Sequence, residues 1–366
     1  MIKKILLAFV IFNLAFVITA TAVEVGGYYE NNLVGIVKRT GGGMVGDLNK
    51  LRLKIDAQPR ENILFHFEPE YDTLVKSGPL PLISDVSGID QLNWDRAYVK
   101  LYYPQVDITL GKQRIAWGTG YIWNPTDVLN PFTLSFAVSE EDEEDEIAAR
   151  FEIPLGEASH IDAFAIAGKE WKSTTKAIRY KTNIDDYDVS ANYVDQGDAG
   201  FQFGIDGAGE LFDLGIRKEI ALVSSAETNR YFKFVFGVDY TFENGWYINS
   251  EYFFNGLGKK KKADYDWASY LAGDIQQLGM DYFYLGFQKA LDELTTINLS
   301  ILMNADDMSH LVYPSFSYNM WQDVDVSLEA LFYGGESGSE YMPTDQDDSS
   351  GFIGSKIVFV KMRHNF

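Results

Sequence analysis

From residue 23 to residue 366 the chain is a succession of eighteen short segments in which apolar side chains recur at every second position. That is the repeat of a strand, whose side chains alternate between two faces. The connections between segments alternate too. Pro59 to Glu61, Pro104-Gln105, Gly156 to Ser159, Asp185-Asp186, Glu210-Leu211, Asn244-Gly245, Asp292-Glu293 and Gln322-Asp323 are tight, and each follows an even-numbered segment. The largest connections, 38–46, 76–92, 119–143, 258–280 and 336–351, all follow odd-numbered ones. Asn-Gly and Asp-rich dipeptides are hairpin chemistry. The pattern predicts an all-β, antiparallel meander forming one domain over 23–366. Parsing 175–209 with one hairpin fewer gives sixteen strands as the alternative.

Eighteen strands, each with an apolar and a polar face, cannot be covered by one small sandwich core, and no helical segments are present to help. A sheet closed on itself with its apolar face in lipid resolves this. Segments near ten residues match a tilted bilayer crossing of about 9–11 residues. The expected fold is therefore a transmembrane antiparallel β-barrel with short periplasmic turns and long extracellular loops. Trp94, Trp117 and Trp171 fall at extracellular strand ends, and Trp246 and Trp321 at periplasmic ends, as in interfacial aromatic belts. Lys218 and Lys289 break the pattern by falling on the lipid face, which calls for snorkelling, a register shift or a neighbouring subunit.

The N-terminus carries Lys3 and Lys4, an apolar run from Ile5 to Ile18, and Ala20-Thr21-Ala22. This is the pattern of a secretory signal peptide, residues 1–22, with cleavage expected after Ala22. The run is short for a membrane anchor. There is no cysteine, which excludes disulfides and thiolate metal sites. The formal charge of −22 becomes −24 without the two signal lysines, and such acidity disfavours nucleic acid. His66, His160, His310 and His364 show no metal-ligand spacing and flank no nucleophile motif. No enzyme activity, metal or cofactor is expected.

With the apolar face outward, several bases point into the lumen. They are Lys50, Arg52 and Lys54 on the second strand, Arg96 and Lys100 on the fourth, and Arg150 on the sixth. A bulge near Gly111 would turn Lys112 and Arg114 inward while keeping Ile115 and Trp117 outward. The third strand interleaves His66, Glu68, Glu70 and Asp72. Rows of Arg and Lys select for anions in pores, whereas interspersed acids suit a cross-strand salt-bridge network. Both readings stand on the sequence.

The connection at 119–143 contains Asn124-Pro125, Asp127 and Asn130-Pro131, with Tyr121, Ile122, Trp123, Val128, Leu129 and Phe132 around them. Proline fixes its own φ and biases the preceding residue to extended geometry, so the loop has a defined shape. It is too apolar to remain in water and is expected to fold into the barrel mouth, with Asn124, Asp127 and Asn130 at the constriction. The seven consecutive acids from Glu140 to Glu146 suit solvated charge, cation binding or contact with Lys112, Arg114 and Arg150. Lys259 to Lys262 suit solvation, those acids or anionic lipopolysaccharide.

Two features carry a resemblance. The last strand runs to its final aromatic, Phe366, with Val358, Val360 and Met362 on the same face. It resembles the closing strand of bacterial outer-membrane β-barrels. The string from Gly111 through Lys112-Gln113, Trp117-Gly118, Asn124-Pro125, Asp127 and Asn130-Pro131 resembles a signature of poorly characterised barrels of that class, with Lys112 in place of Arg. The third extracellular loop is also the inward-folded one in general porins. The resemblance implies residence in the outer membrane, contact with lipid and lipopolysaccharide, and assembly by the barrel-insertion machinery through Phe366. It implies a porin-like channel for passive diffusion of small hydrophilic solutes, anionic if the basic rows act, with a homotrimer as one candidate assembly. The alternative is a closed barrel that binds surface polysaccharide through aromatics in 264–284 and 333–341.

Overall fold

The computed structural model describes residues 23–77, 90–129, 146–168, 173–225, 230–348 and 353–366. The first nine strands are β1 Val23–Val37, β2 Gly43–Arg60, β3 Ile63–Ser77, β4 Asp90–Tyr103, β5 Val106–Gln113, β6 Glu146–Pro154, β7 Ser159–Ile166, β8 Thr175–Ile184 and β9 Tyr187–Asp195. The rest are β10 Gly200–Leu211, β11 Leu214–Ser225, β12 Tyr231–Thr241, β13 Trp246–Asn255, β14 Asp281–Ala290, β15 Thr295–Asn304, β16 His310–Trp321, β17 Val324–Gly334 and β18 Lys356–Asn365. Each strand pairs with its sequence neighbours, and β18 returns to β1, so one 18-stranded antiparallel sheet closes on itself. Closure is carried to the chain end, where Phe366 and Gly27 exchange both backbone hydrogen bonds at 3.0 Å. A closed sheet has no unpaired edge.

The two faces are inverted relative to a water-soluble protein. Leu33, Ile205, Ile220, Phe283 and Val360 are exposed on the outer surface, whereas Arg52, Glu68, Asp206, Glu219 and Glu251 are buried inside. Buried charge with exposed hydrophobics is the arrangement for an apolar exterior solvent. Trp321 is 66% exposed beside the turn that follows β16. Trp94 packs on Phe67 with ring centroids 5.0 Å apart. The two lipid-face lysines keep their positions: Lys218 lies over the Phe236 ring and Lys289 over the Trp246 ring, at 5.8 and 5.3 Å. The β10–β11 and β13–β14 registers run without a shift past them, so no bulge turns them inward.

Several expectations are corrected at β5. The registers of β4–β5 and β5–β6 pass unbroken through Gly111, so no bulge occurs there. Lys112 therefore stands opposite Ala97 and Ile147, on the outer face, and its Nζ reaches the Trp94 carbonyl at 2.6 Å. The strand ends at Gln113, and Ile115 and Trp117 are buried inside the barrel rather than facing lipid, which removes Trp117 from the belt. The irregularity lies instead in β4, where Glu68 pairs with Arg96 but Pro69 with Trp94, leaving Asp95 as the extra residue. Trp171, residues 1–22 and the acids 140–145 lie outside the described residues; Glu146 opens β6 opposite Gln113.

Gly111 has a different purpose: at φ +128° a Cβ there would sit 2.3 Å from the Ala97 carbonyl oxygen. Gly111→Ala is expected to force β4 and β5 apart and lower stability by about 1–3 kcal/mol. Gly35→Ala, whose Cβ would meet nothing within 4 Å, is expected to stay within about 0.5 kcal/mol of the parent. Thermal unfolding of the refolded barrel, followed by its heat-dependent gel mobility, checks the pair; equal midpoints would contradict the close-approach account.

Candidate constriction site

The chain leaves the wall after Gln113 and crosses the barrel interior. Its shape is set locally by Asp127, whose Oδ2 accepts from the Trp117 amide at 2.8 Å and whose Oδ1 accepts from the Leu129 amide at 2.9 Å. The Asp127 amide in turn donates to the Asn124 carbonyl at 3.0 Å, the turn that the Asn-Pro step initiates. Gly118, at φ +98°, leaves room for the Asn124 side chain, which would meet a Cβ there at 2.5 Å. Asp127 and Asn124 thus hold the loop's own fold. Asn130 lies outside the described residues.

Two carboxylates on the far wall bind this loop by its backbone. Glu219, on β11 and 0% exposed, accepts through Oε1 from the amides of Thr119 at 2.5 Å and Gly120 at 2.8 Å. Its Oε2 accepts from the Thr126 amide at 3.1 Å and hydroxyl at 2.8 Å. Glu251, on β13 and 1% exposed, accepts from the amides of Tyr121, Ile122 (2.8 Å) and Trp123 (3.4 Å). Among the described residues neither carboxylate pairs with a cation; loop amides occupy them instead. A charge-assisted hydrogen bond is worth roughly 1.5–3 kcal/mol, so the two groups form a strong tether.

Other contacts complete it. Arg217 donates to the Thr119 carbonyl at 3.1 Å and to the Tyr121 hydroxyl at 2.7 Å, and lies 4.1 Å from the Tyr121 ring centroid. Gln202 donates to the Pro125 carbonyl at 2.9 Å. Trp123 stacks on Phe253 and tilts against Tyr282, at 5.1 and 5.9 Å. On the near wall, Trp117 Nε1 donates to Asp162, which the Arg150 guanidinium grips with two bonds of 2.8 Å.

The basic rows on β2, β4 and β6 do face inward, and acids hold them. Arg52, 1% exposed, donates to Glu70 and forms an ion pair with Asp95 at 3.0 Å. Lys50 reaches Glu70 at 3.4 Å, Arg96 reaches Glu68 at 3.8 Å, and Lys54 lies 5.9 Å from the Tyr28 ring centroid. Lys100 pairs with Glu152 at 3.0 Å, and His66 bridges Asp56 and Glu68 at 2.7 Å each. The geometry is that of a cross-strand salt-bridge network. Arg114 is half-buried at the start of the loop, beyond β5.

Over β13–β17 the mouth is capped by the connections 256–280 and 335–348. Glu340 is the hub: Oε1 accepts from the Leu278 amide at 3.1 Å, and Oε2 accepts from the Tyr282 hydroxyl and the Asn304 amide group, both at 2.6 Å. Asp307 accepts from the Glu340 amide at 2.8 Å and from the Tyr265 hydroxyl at 3.0 Å. Tyr265 and Tyr341 are buried in this cap, so neither is available for stacking on a sugar. Lys260 and Lys262 pair with Asp281 and Glu336, at 3.6 and 2.9 Å.

No family model and no curated protein matches the chain. Among solved structures it is similar in fold to OccK5 (OpdH) of Pseudomonas aeruginosa, with TM-score 0.64, 8% identity, and coverage of 95% of this chain and 99% of that one. It is also similar to the outer membrane protein OprD of Pseudomonas aeruginosa, with TM-score 0.62, 11% identity and 95% of each chain. A triple mutant of the Rhodopseudomonas blastica porin gives TM-score 0.51 at 13% identity, over 94% of this chain and 100% of that one. The shared feature is the closed barrel.

Burial pushes the Glu340 carboxyl up to about 7, and Asp307 adds to the rise against the hydrogen bonds from Tyr282, Leu278 and Asn304. A carboxyl raised in the folded state binds more protons folded than unfolded, so its stabilisation is complete below the ordinary value and is lost as pH rises through the folded one. Hydrogen-exchange protection of 278–282 and 340–341, corrected for intrinsic rates, is therefore expected to fall about tenfold from pH 5 to pH 8. Glu340→Gln is expected to flatten the profile. Protection that stays level or rises in the parent chain would contradict the assignment.

Proposed function

We propose that the chain is an outer-membrane channel for passive diffusion of small hydrophilic solutes, its bore set by the loop 114–129 latched across the lumen. The observation that carries this reading is the tether from Glu219 and Glu251 to that loop. A barrel of this width holds an aqueous path unless its loops fill it. A loop fixed to the opposite wall by charge-assisted bonds is a built constriction, not a passing conformation. The apolar exterior and charged interior support a bilayer setting, and the fold shared with OprD and the Rhodopseudomonas blastica porin agrees with both parts. In the same reading residues 1–22 are removed after Ala22, and Phe366 belongs to the signal for barrel insertion. The outer face meets lipid and lipopolysaccharide.

The held basic rows shape the wall and present little free positive charge. A preference for anionic solutes, if the channel has one, then rests on a cation outside those rows.

Purified, refolded full-length chain in planar bilayers is expected to give stepwise currents. Glu219→Gln combined with Glu251→Gln places amide NH2 groups against loop N–H donors and costs about 1–3 kcal/mol for each orphaned group, which frees the loop. Single-channel conductance of that variant is expected to rise several-fold, on the order of what a released constriction gives in a barrel of this width. No steps from either protein would sink the channel reading; steps of unchanged size would sink the role of the latch.

A further inference from the structure

One lumen-facing cation stands apart from the others. Lys233 on β12 pairs in register with Ala221 of β11 and Asn255 of β13. The next inward residue of its strand, Val235, stands opposite Glu219 and Phe253, so Lys233 lies on the inner face, one step toward the long-loop end from the latch. Among the described residues Lys233 has no carboxylate, carbonyl, hydroxyl or ring partner. Other Lys and Arg side chains inside the barrel meet an acid or an aromatic ring, for example Arg179 with Asp206 at 2.9 Å and Lys361 with Glu329 at 3.0 Å.

Among the described residues the surroundings supply no counter-charge. Ala221 and Val235 are fully buried and apolar, and Phe253 is nearly so. Asn255 is occupied: its Oδ1 accepts from the Leu257 amide at 3.2 Å, and its Nδ2 donates to the Gly279 carbonyl at 3.4 Å. A half-buried ammonium without a fixed partner carries a desolvation cost that an anion from solution relieves. Beside those paired cations Lys233 is the exception among the described residues.

We propose that Lys233 is an anion-capture site at the long-loop side of the constriction, taking weakly hydrated monoanions such as singly charged organic acids. The selectivity for charge type follows from the site. One ammonium balances one negative charge, and the chain's own acidity repels a second. Phosphate-type dianions call for several convergent donors, usually a guanidinium fork, and Lys233 is a point charge. The apolar neighbours favour an anion that sheds water readily, because they return nothing for lost hydration. This proposal rests on the channel reading for its role in permeation, though not for the existence of the site.

Two measurements on the full-length barrel separate the two. Crystals soaked in sodium iodide, read by anomalous scattering, are expected to place an iodide against Lys233 Nζ. The same soak of Lys233→Met, whose side chain is close in length and suits the apolar wall, is expected to leave that position empty, and Lys233→Arg to keep it. In planar bilayers under a potassium iodide gradient, the anion-to-cation permeability ratio is expected to fall about threefold in Lys233→Met, the scale of one poorly screened charge at a narrow wall. The arginine variant is expected to retain the parent ratio. A parent barrel that passes no current would defeat the channel reading while the iodide site still decides the lysine. Parent crystals with no iodide at Nζ, or a methionine variant with the parent's permeability ratio, would overturn the proposal.

Discussion

Two carboxylates on one wall of the barrel grip the backbone of a segment that starts from the other. Glu219 and Glu251 accept from Thr119, Gly120, Thr126, Tyr121, Ile122 and Trp123, and the interior arrangement follows from that grip. A loop crossing the interior carries amides that need acceptors away from bulk water. An isolated buried carboxylate is equally costly. Each problem is solved by the other. The remaining contacts refine the position: Arg217 fixes the first turn, Trp123 stacks on Phe253, and Trp117 is anchored near its origin by Asp162.

The lumen around the latch has two characters. On the β2–β7 side, acids and bases are interleaved closely enough that Arg52 and Glu68 are almost fully buried together, and the wall is rigid and nearly neutral in effect. On the β11–β14 side an apolar patch of Ala221, Val235, Phe253 and Tyr282 is buried between the two latch acids, with Arg217 and Asp239 on the same face. A solute passing the loop would therefore meet an ion-paired wall opposite one that mixes an apolar patch with the latch acids. Lys233 on the second wall has no acidic or aromatic partner among the described residues.

The barrel was legible in the sequence because its determinants are local. Strand alternation, Asn-Gly and Asp-rich turns and the long–short rhythm of connections all lie within a few residues of what they specify: β1 ends at Val37, where the connection 38–46 begins, and Asp185-Asp186 separates β8 from β9. The inward folding of the third loop was legible from its apolar content and its prolines. What failed was the extension of local pattern past its range. Alternation continues through Ile115 and Trp117, but the chain has already left the wall at Gln113, and nothing local marks that departure. Gly111 reads locally as a bulge, whereas it serves close approach to Ala97, and Lys112 changes face as a result. Asp95 enters the lumen by a bulge that no glycine announces. The inward parity of Glu219 and Glu251 was readable from the alternation of their strands. Their partners were not readable, because these contacts join residues about a hundred positions apart in the chain.

The absence of native cysteine permits a direct test of whether the loop lies against the far wall. A Cβ built on Gly204 falls 3.0 Å from Thr126 Cγ2, so cysteines at the two positions come within bonding reach once the end of the Asn192 side chain, 2.6 Å from that Cβ, swings aside. Thr126→Cys combined with Gly204→Cys should cross-link nearly completely under mild oxidation in the folded barrel, without any reagent that spans a gap. Free thiols persisting in the folded protein would place the loop elsewhere and contradict the latch.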